Sequence, residues 1–450
     1  MKKIVVNAGD VLIGNGERVV VQTMCNTSTL DIEKSVEQCR SLSAAGAALI
    51  RLTTQGIREV EALGEIKREL IGMGVSTPLI ADVHFSSKVA EAAANVADKV
   101  RINPGNFSRD HQCSITEFAR LVAICKELGK PIRIGVNHGS LGKDITERYG
   151  DSPLGMKQAA LEWLDMAHKM GFDQIVISLK SSNTRVMVDA YRLLYSEFTK
   201  RGIFWPLHLG ITEAGNGDSG RIKSAVGISA LLKEGIGDTI RVSLTENPLN
   251  EIPVASFIAG YFCRRLNEKD VEFYYDKEKG NIARKNYRCK TWEEFILSAS
   301  CDMGPLLLDR IIDDVEITAE IDEIPSDKCI DGFRDDLLQA SGRVYTKPEY
   351  IACPGCGRTL FNLEPVFEEV KRRTAHLKGY KIAVMGCLVN GPGEMADADY
   401  GYVGEGRKRV SIYRGKEIVF RSVPENEAID KLLSIIEEDA RNRDGRRNIL

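Results

Sequence analysis

Between residues 18 and 244, short apolar runs alternate eight times with longer amphipathic stretches. The runs are RVVVQTM, ALIRLT, PLIADV, KVRIN, PIRIGVN, QIVISL, PLHLGI and TIRVSL. Each has the length of a strand buried on both faces. Between them lie segments such as LDIEKSVEQCRSLSAAGA, EFARLVAICKELG and RIKSAVGISALLKEG, with apolar residues at three- and four-residue spacing and Gly near the ends. That is the pattern of helices lying on a core. Eight strand-then-helix units in about 230 residues predict an α/β fold closed as a (β/α)8 TIM barrel over residues 1–255.

The pattern then changes twice. Residues 256–350 hold charged, turn-rich pieces, RRLNEKD and YDKEKGNIARKN, followed by LLLDRIIDDVEIT, which echoes LLKEGIGDTIRVS from the end of the barrel. The echo predicts an inserted βα-like piece, since a complete second barrel needs more than about 200 residues. Residues 351–450 read as a small α+β module. It comprises a CPGC turn, a helix near LEPVFEEVKRRTAHL, the strand KIAVMG, a hairpin RKRVSIYRGKEIVF and a last helix near NEAIDKLLSIIEEDA.

Composition narrows the function classes. The 450 residues are 43% hydrophobic, as in ordinary globular proteins, and a formal charge of -3 gives no general attraction to nucleic acid or to an acidic membrane. The basic runs RKR and RNRDGRR are short, and a solvated surface explains them. No window approaches about 18 apolar residues, and the opening MKKIVVNAGDVLIGNG has too short an apolar run for a signal peptide, so a cytoplasmic protein is expected. Of eleven cysteines, eight are scattered as reduced thiols would be, and only Cys353, Cys356 and Cys387 group in a metal-ligand pattern.

In a barrel the active site lies at the carboxyl ends of the strands. Arg51, Arg101, Arg133 and Arg241 fall within or at the ends of strand runs, Lys180 ends the sixth, and only Asp82 and Glu213 supply acid nearby. A buried cation without a partner costs several kcal/mol, whereas a charge-assisted hydrogen bond to an anion returns roughly 1.5–3 kcal/mol. One such Arg is explained by a carboxylate outside the barrel; four at matching positions predict a multiply charged anionic ligand. The glycine-rich loop ITEAGNGDSGRIKSA, running into a helix after strand seven, adds a phosphate-type site. Asn26, Asn103, Asn137, Ser140, Thr212 and Ser243 line the same rim, and His84 and His208 stand at strand ends. Glu213, among cations, is the candidate for proton transfer. Lys180 as a Schiff-base lysine, in an aldolase-like lyase with a structural zinc tail, is the rival reading.

The three thiols leave a fourth ligand position to fill. A zinc ribbon missing one ligand and an iron-sulfur cluster with one iron not bound by Cys both fit the spacing. Glu394 follows Cys387 by seven residues across NGPG, and His376, predicted to lie mid-helix, is the only histidine of the module. A carboxylate is a harder, weaker ligand for cluster iron than thiolate, so Glu394 would be displaceable and would leave one iron available.

The motifs NPGN, RIGVNHGSL, LHLGITEAG, SGRIKSAVG, EGIGDTIRVSL, ACPGCGR and MGCLVNGPGE resemble the hydroxymethylbutenyl diphosphate synthase family of the methylerythritol phosphate route to isoprenoids. The resemblance covers nearly all of residues 1–255 and 351–405. It implies a barrel joined to a 4Fe-4S domain, with Cys353, Cys356, Cys387 and Glu394 on the cluster. It also implies a cyclic diphosphate substrate held by Arg51, Arg101, Asn103, Arg133, Asn137, Ser140, Lys143, Lys180, His208, Lys223, Ser224 and Arg241, with Glu213 as the catalytic acid. No GxGxxG fingerprint follows any strand, so the electrons are expected from a small carrier, ferredoxin or flavodoxin. A homodimer is expected. The intermediate length of the 256–350 insert leaves open whether the cluster domain caps its own barrel or a partner's.

Overall fold

The eight apolar runs form eight parallel strands: β1 (Val20–Met24), β2 (Leu49–Thr54), β3 (Leu79–Val83), β4 (Lys99–Ile102), β5 (Ile132–Asn137), β6 (Ile175–Lys180), β7 (His208–Leu209) and β8 (Thr239–Ile240). The computed structural model describes residues 1–108, 111–264, 271–389, 391–395, 397–406 and 408–447. The hydrogen-bonded order runs β7-β8-β1-β2-β3-β4-β5-β6, and a parallel bridge between Ile177 and Leu207 joins the two ends into a barrel. An N-terminal hairpin of Val6–Ala8 and Val11–Ile13 packs its buried Val6, Ala8 and Ile13 into the same core.

Each strand presents alternate residues to the helices and to the barrel interior. Val100 and Ile102 of β4, and Ile132, Ile134 and Val136 of β5, belong to the apolar set packed between strands and helices. The alternate positions carry Lys99 and Arg101 on β4 and Arg133 and Asn137 on β5. Barrel interiors are ordinarily filled by branched apolar side chains. Here the helix-facing half of each strand supplies the apolar burial, and the inner half is polar and charged.

Helix α1 (Gly217–Leu232), after β7, is buried almost all round. It can be, because the insert covers its outer side. There α2 (Trp292–Leu308) lies against α1 so closely that a Cβ at Gly304 would meet Val226 Cγ2 at 2.6 Å. The insert is a three-stranded sheet, β9 (Glu272–Asp276), β10 (Gly280–Thr291) and β11 (Asp314–Glu323). β9 and β10 form a hairpin, while β10 and β11 are parallel with α2 as the crossover. Helix α3 (Ile330–Ala340) completes it. The βα-like echo in the sequence is therefore a β-α-β unit, and most of the RRLNEKD stretch, residues 265–270, lies outside the described residues.

The C-terminal unit is a five-stranded sheet in sequential order: β12 (Glu349–Ala352), β13 (Lys381–Met385), β14 (Tyr400–Gly406), β15 (Arg409–Arg414) and β16 (Glu417–Pro424). The first three strands are parallel and the last three antiparallel. Helix α4 (Leu363–Thr374) packs Phe367 and Val370 onto the sheet, and His376 lies beyond its end rather than mid-helix. The one-turn helix α5 (Gly391–Glu394) and the final helix α6 (Glu425–Arg447) follow.

This unit sits on the barrel mouth of its own chain. Ala214, after β7, bridges to Ala352 of β12, and the Thr245 hydroxyl donates to the carbonyls of Ala352 (3.1 Å) and Cys353 (3.0 Å). Gly139 and Gly393 meet backbone to backbone, and a Cβ on Gly139 would overlap the Gly393 carbonyl. Lys223 of α1 pairs with Glu349 at 2.9 Å on the flank.

Candidate active site

Strand register places the cations together. Met24 pairs with Arg51 across β1 and β2, Asp82 with Arg101 across β3 and β4, and Arg101 with Arg133 across β4 and β5. Long side chains crowd the barrel unless neighbours give way, and two glycines do. A Cβ at Gly135 would overlap the Arg101 guanidinium, and one at Gly210 would meet Lys180 Nζ at 2.7 Å. The resulting cavity, of about 80 Å³, is lined by six cations, Arg51, Arg101, Arg133, Lys180, Arg241 and Arg358. Only three carboxylates line it, Asp82, Glu213 and Glu394.

Those charges are unevenly matched. Asp82 accepts from Arg101 Nη1 and from Arg358 Nη2, both at 3.0 Å, and Arg241 forks onto Glu251 at 3.2 and 3.0 Å. Among the described residues Arg51 donates only to the thioether of Met24, at 3.0 and 2.9 Å, and burial pulls its guanidinium down to about 10. Arg133 Nε and Nη1 have no hydrogen-bond partner among the described residues. Burial first, then the neighbouring arginines, push both Arg133 and Lys180 well below their usual ranges. An anion between them would reverse that push, because opposite charge favours the protonated forms. The cation excess expected from the sequence is thus a physical imbalance in the folded chain.

Glu213 takes a left-handed backbone with φ of 49°, uncommon for a residue with a side chain, and its Oε2 has no partner among the described residues. Such strain is kept at sites where the surrounding structure fixes it. Glu394 comes from the cap, and Asn137 of β5 donates to its Oε1. Burial first, then the neighbouring Glu213, raise the Glu394 carboxyl well above the ordinary range. Cys353, Cys356 and Cys387 line the cavity beside it. Cations, a strained acid, a cap carboxylate and three thiols therefore meet around one space built from two parts of one chain.

Comparison with known proteins gives the same two parts. Residues 3–256 match the GcpE TIM-barrel domain and residues 349–438 the GcpE protein C-terminal domain. The chain belongs to the GcpE family. A relative from Synechococcus sp. (strain CC9605), named 4-hydroxy-3-methylbut-2-en-1-yl diphosphate synthase (ferredoxin), is 40% identical over 454 aligned residues, covering 97% of this chain and 94% of that one. The Porphyromonas gingivalis protein of the same name with flavodoxin in place of ferredoxin is 36% identical over 568 aligned residues, covering 97% of both chains. A third, from Leptospira interrogans and also named for flavodoxin, is 33% identical over 638 aligned residues, covering 96% of both. The alignment with the Synechococcus relative scarcely exceeds the 450 residues of this chain, so that GcpE protein has nearly its length. The other two alignments exceed it by over a hundred positions.

The residues of this GcpE chain suit an iron-sulfur cluster. Cys353, Cys356, Cys387 and Glu394, three thiols and one carboxylate, all line the same cavity. A cluster spreads its ligands over several irons. The Gly386 N–H donates to Cys353 Sγ at 3.2 Å, the kind of contact that holds and tunes a cluster thiolate. Burial pushes the Cys353 thiol up, so a bound cationic metal centre is what would hold it ionised.

Of the sequence-predicted set, Arg51, Arg101, Arg133, Asn137, Lys180, Glu213, Arg241, Cys353, Cys356, Cys387 and Glu394 line the cavity. Asn103 donates to the Ser140 hydroxyl at 3.2 Å, and neither is among the residues that line the cavity. His208 lies deeper, and burial and the cations above it push its imidazole well down. Lys223 is committed to Glu349, the Ser224 hydroxyl is buried without a partner among the described residues, and Lys143 is 87% exposed beside Glu147. Sequence reasoning missed Arg358, Thr359 and Met24, which line the cavity. For Arg358 a signal existed: it closes the ACPGCGR motif two residues after a thiol.

Proposed function

We propose that this chain is a 4-hydroxy-3-methylbut-2-enyl diphosphate synthase. It opens 2-C-methyl-D-erythritol 2,4-cyclodiphosphate reductively and releases water. The enzyme is an oxidoreductase of isoprenoid biosynthesis, with the barrel (1–255) gripping the diphosphate, the insert or linker segment (256–350) covering α1 and the last unit (351–450) as cluster domain. The observation that carries this reading is the shared cavity of six cations, three thiols and Glu394.

A 4Fe-4S cluster on Cys353, Cys356, Cys387 and Glu394 would supply the two electrons, one at a time. Arg133 and Lys180, short of counter-charge, hold diphosphate oxygens, and Arg51 exchanges its weak thioether contact for a phosphate oxygen. Asn137 holds Glu394 in place. Glu213, at its strained position beside Glu394, delivers or orients the proton that leaves with the hydroxyl as water. The cap seals these groups from bulk water, which strengthens each electrostatic contact. The cavity is smaller than the ~300–1,000 Å³ of most ligand pockets, so the cap must lift to admit substrate.

The expected electron donor is ferredoxin or flavodoxin, the two carriers in the relatives' names. No helix among the described residues is long and apolar enough to cross a membrane. A cytoplasmic location suits thiols that must stay reduced. The homodimer belongs to the proposal as an assembly of two complete sites, and a scattering mass of a single chain would overturn it.

The test is anaerobic turnover of the cyclic diphosphate by cluster-reconstituted protein with dithionite and methyl viologen, followed by phosphorus NMR. Glu394→Ala should abolish turnover while binding of a diphosphate analogue survives. Zinc at the thiols with no inorganic sulfide, or a borohydride-trapped adduct on Lys180, would favour the lyase reading.

A further inference from the structure

The barrel interior is polar beneath the substrate cavity as well as around it. Gln22 of β1, Ile80 of β3, Arg133 of β5 and His208 of β7 stand at one height, as the strand register and the stagger from strand to strand of a closed barrel require. They form the layer of side chains that alternate strands send towards the axis of this fold. Lys99 of β4 enters from the layer below, two residues before Arg101 on the same face. Of these side chains only Arg133 also lines the substrate cavity.

The polar members of this set go unanswered. Nε2 and Oε1 of Gln22, Nζ of Lys99, Nε and Nη1 of Arg133 and Nε2 of His208 have no hydrogen-bond partner among the described residues. Gln22 and Arg133 are 1% exposed, and Lys99 and His208 0%, so bulk water does not serve them. Orphaned buried polar atoms are exceptional in folded proteins, and a whole layer of them marks a site with an occupant.

The charges of the layer say what the occupant is. No carboxylate among the described residues pairs with Lys99 or Arg133; Asp82 is taken by Arg101 and Arg358, and Glu251 by Arg241. Burial first, then Arg133 and Arg51, push the Lys99 ammonium well below its usual range. His208 is pushed down by burial and then by Lys180, Arg133 and Lys99, so these groups share one neighbourhood. An anion among them reverses each push, whereas a water molecule answers N–H groups and leaves the charge uncancelled. The substrate cavity does not reach Gln22, Lys99 or His208, which excludes the diphosphate and restricts the occupant to a small ion.

We propose that this layer holds a chloride ion, gripped by the Lys99 ammonium, Nε and Nη1 of Arg133, the Gln22 amide N–H and Nε2–H of His208. The Thr239 hydroxyl lies against Nδ1 of His208 at 3.4 Å, which suits a ring with its proton on Nε2. The ion offsets part of the cost of burying these cations and fixes the Arg133 guanidinium from below, leaving Nη2 for the substrate cavity. This site goes beyond the function proposed above and does not rest on it.

The test uses the full-length, cluster-reconstituted protein without substrate. At constant ionic strength, replacing sodium gluconate by sodium chloride should raise the melting temperature along a saturable curve, and sodium bromide should do the same. Crystals soaked in bromide should show an anomalous peak within hydrogen-bonding reach of Lys99 Nζ and His208 Nε2. Lys99→Met, which removes the charge at similar length, should need at least tenfold more chloride for the same rise and should melt above the wild type in gluconate. Gln22→Leu should weaken chloride by a smaller factor and serves if Lys99→Met does not fold. A melting temperature indifferent to chloride, with no bromide in the barrel core, overturns the proposal. So does bromide confined to the surface, an adventitious ion only, or an ordered water in its place. Absence of cyclic diphosphate turnover with chloride binding intact would instead sink the proposed function and leave this site standing.

Discussion

Arg358 of the cap reaches into the barrel and donates to Oδ2 of Asp82 at 3.0 Å, while Arg101 holds Oδ1 of the same carboxylate. The pair is almost wholly buried and joins the two halves of the site. Removing one partner of a buried ion pair typically costs about 3–5 kcal/mol. On the proposed function part of that cost falls on closure rather than on folding, because a lifted cap would return Arg358 to water. Arg358→Ala should therefore cut dithionite-driven kcat/KM by 100-fold or more and speed hydrogen exchange around residues 353–359, with little change in the melting of the barrel. Arg358→Lys should recover only part, since a lysine lacks the fork.

The contact between Gly139 and Gly393 gives a second way to hold the cap open. Gly139 has φ of 80°, where a side chain is strained, and any Cβ there would overlap the opposing carbonyl. Gly139→Ala should leave the barrel folded yet displace the α5 turn that carries Glu394. The expected result is a larger radius of gyration by small-angle scattering and at least a tenfold loss of turnover. An unchanged radius with full activity would show that the cap tolerates the added methyl.

The strands were legible because each apolar run matches a strand buried on both faces, and each ends where the chain turns over the rim. β7 and β8 are short as paired strands, yet PLHLGI and TIRVSL marked them, since their apolar alternation outlasts their ladder bonds. The insert was less legible. β9 is largely exposed, with EFYYD showing no apolar alternation, and α2 reads as core only because α1 lies beneath it. Within the site, Arg51, Arg101 and Arg133 could be found because charge is costly on a buried strand. Lys143 and Lys223 could not be judged that way. Whether a lysine on a helix turns inward depends on what covers it, and Lys223 is claimed by Glu349, a residue more than a hundred positions away.

Arg133 sets stability against function. Its guanidinium is almost fully buried, with Nε and Nη1 lacking partners among the described residues. An apolar side chain of similar length avoids that cost, so Arg133→Met should raise the melting temperature of the protein. The same change should weaken a diphosphate analogue by about 10- to 150-fold, the loss of one charge-assisted contact of roughly 1.5–3 kcal/mol. Lys143→Ala serves as the control: its side chain is solvated, so both quantities should stay within error in a thermal-shift and calorimetry comparison.

The pH response of folding tests the electrostatics without any ligand. His84 accepts from Arg101 at 2.5 Å, and burial with the neighbouring arginines pulls its imidazole down to about 3. Its unfolded value lies near 6.5. Above that both states are neutral; below it the unfolded chain takes a proton that the folded chain refuses. Stability carried by His84 is therefore lost as pH falls from about 6.5 towards 3, by up to ~1.4 kcal/mol per pH unit. His208 shifts in the same direction, and Asp82, held below the usual carboxylate range, adds its own loss only under about pH 3.8. Glu394 opposes them, because its raised carboxyl favours the folded state at low pH. The readout is thus the difference between wild type and His84→Gln in urea melts from pH 7.5 to 4.5. The variant should show the shallower fall below pH 6.5, and parallel curves would mean that His84 is charged in the folded protein.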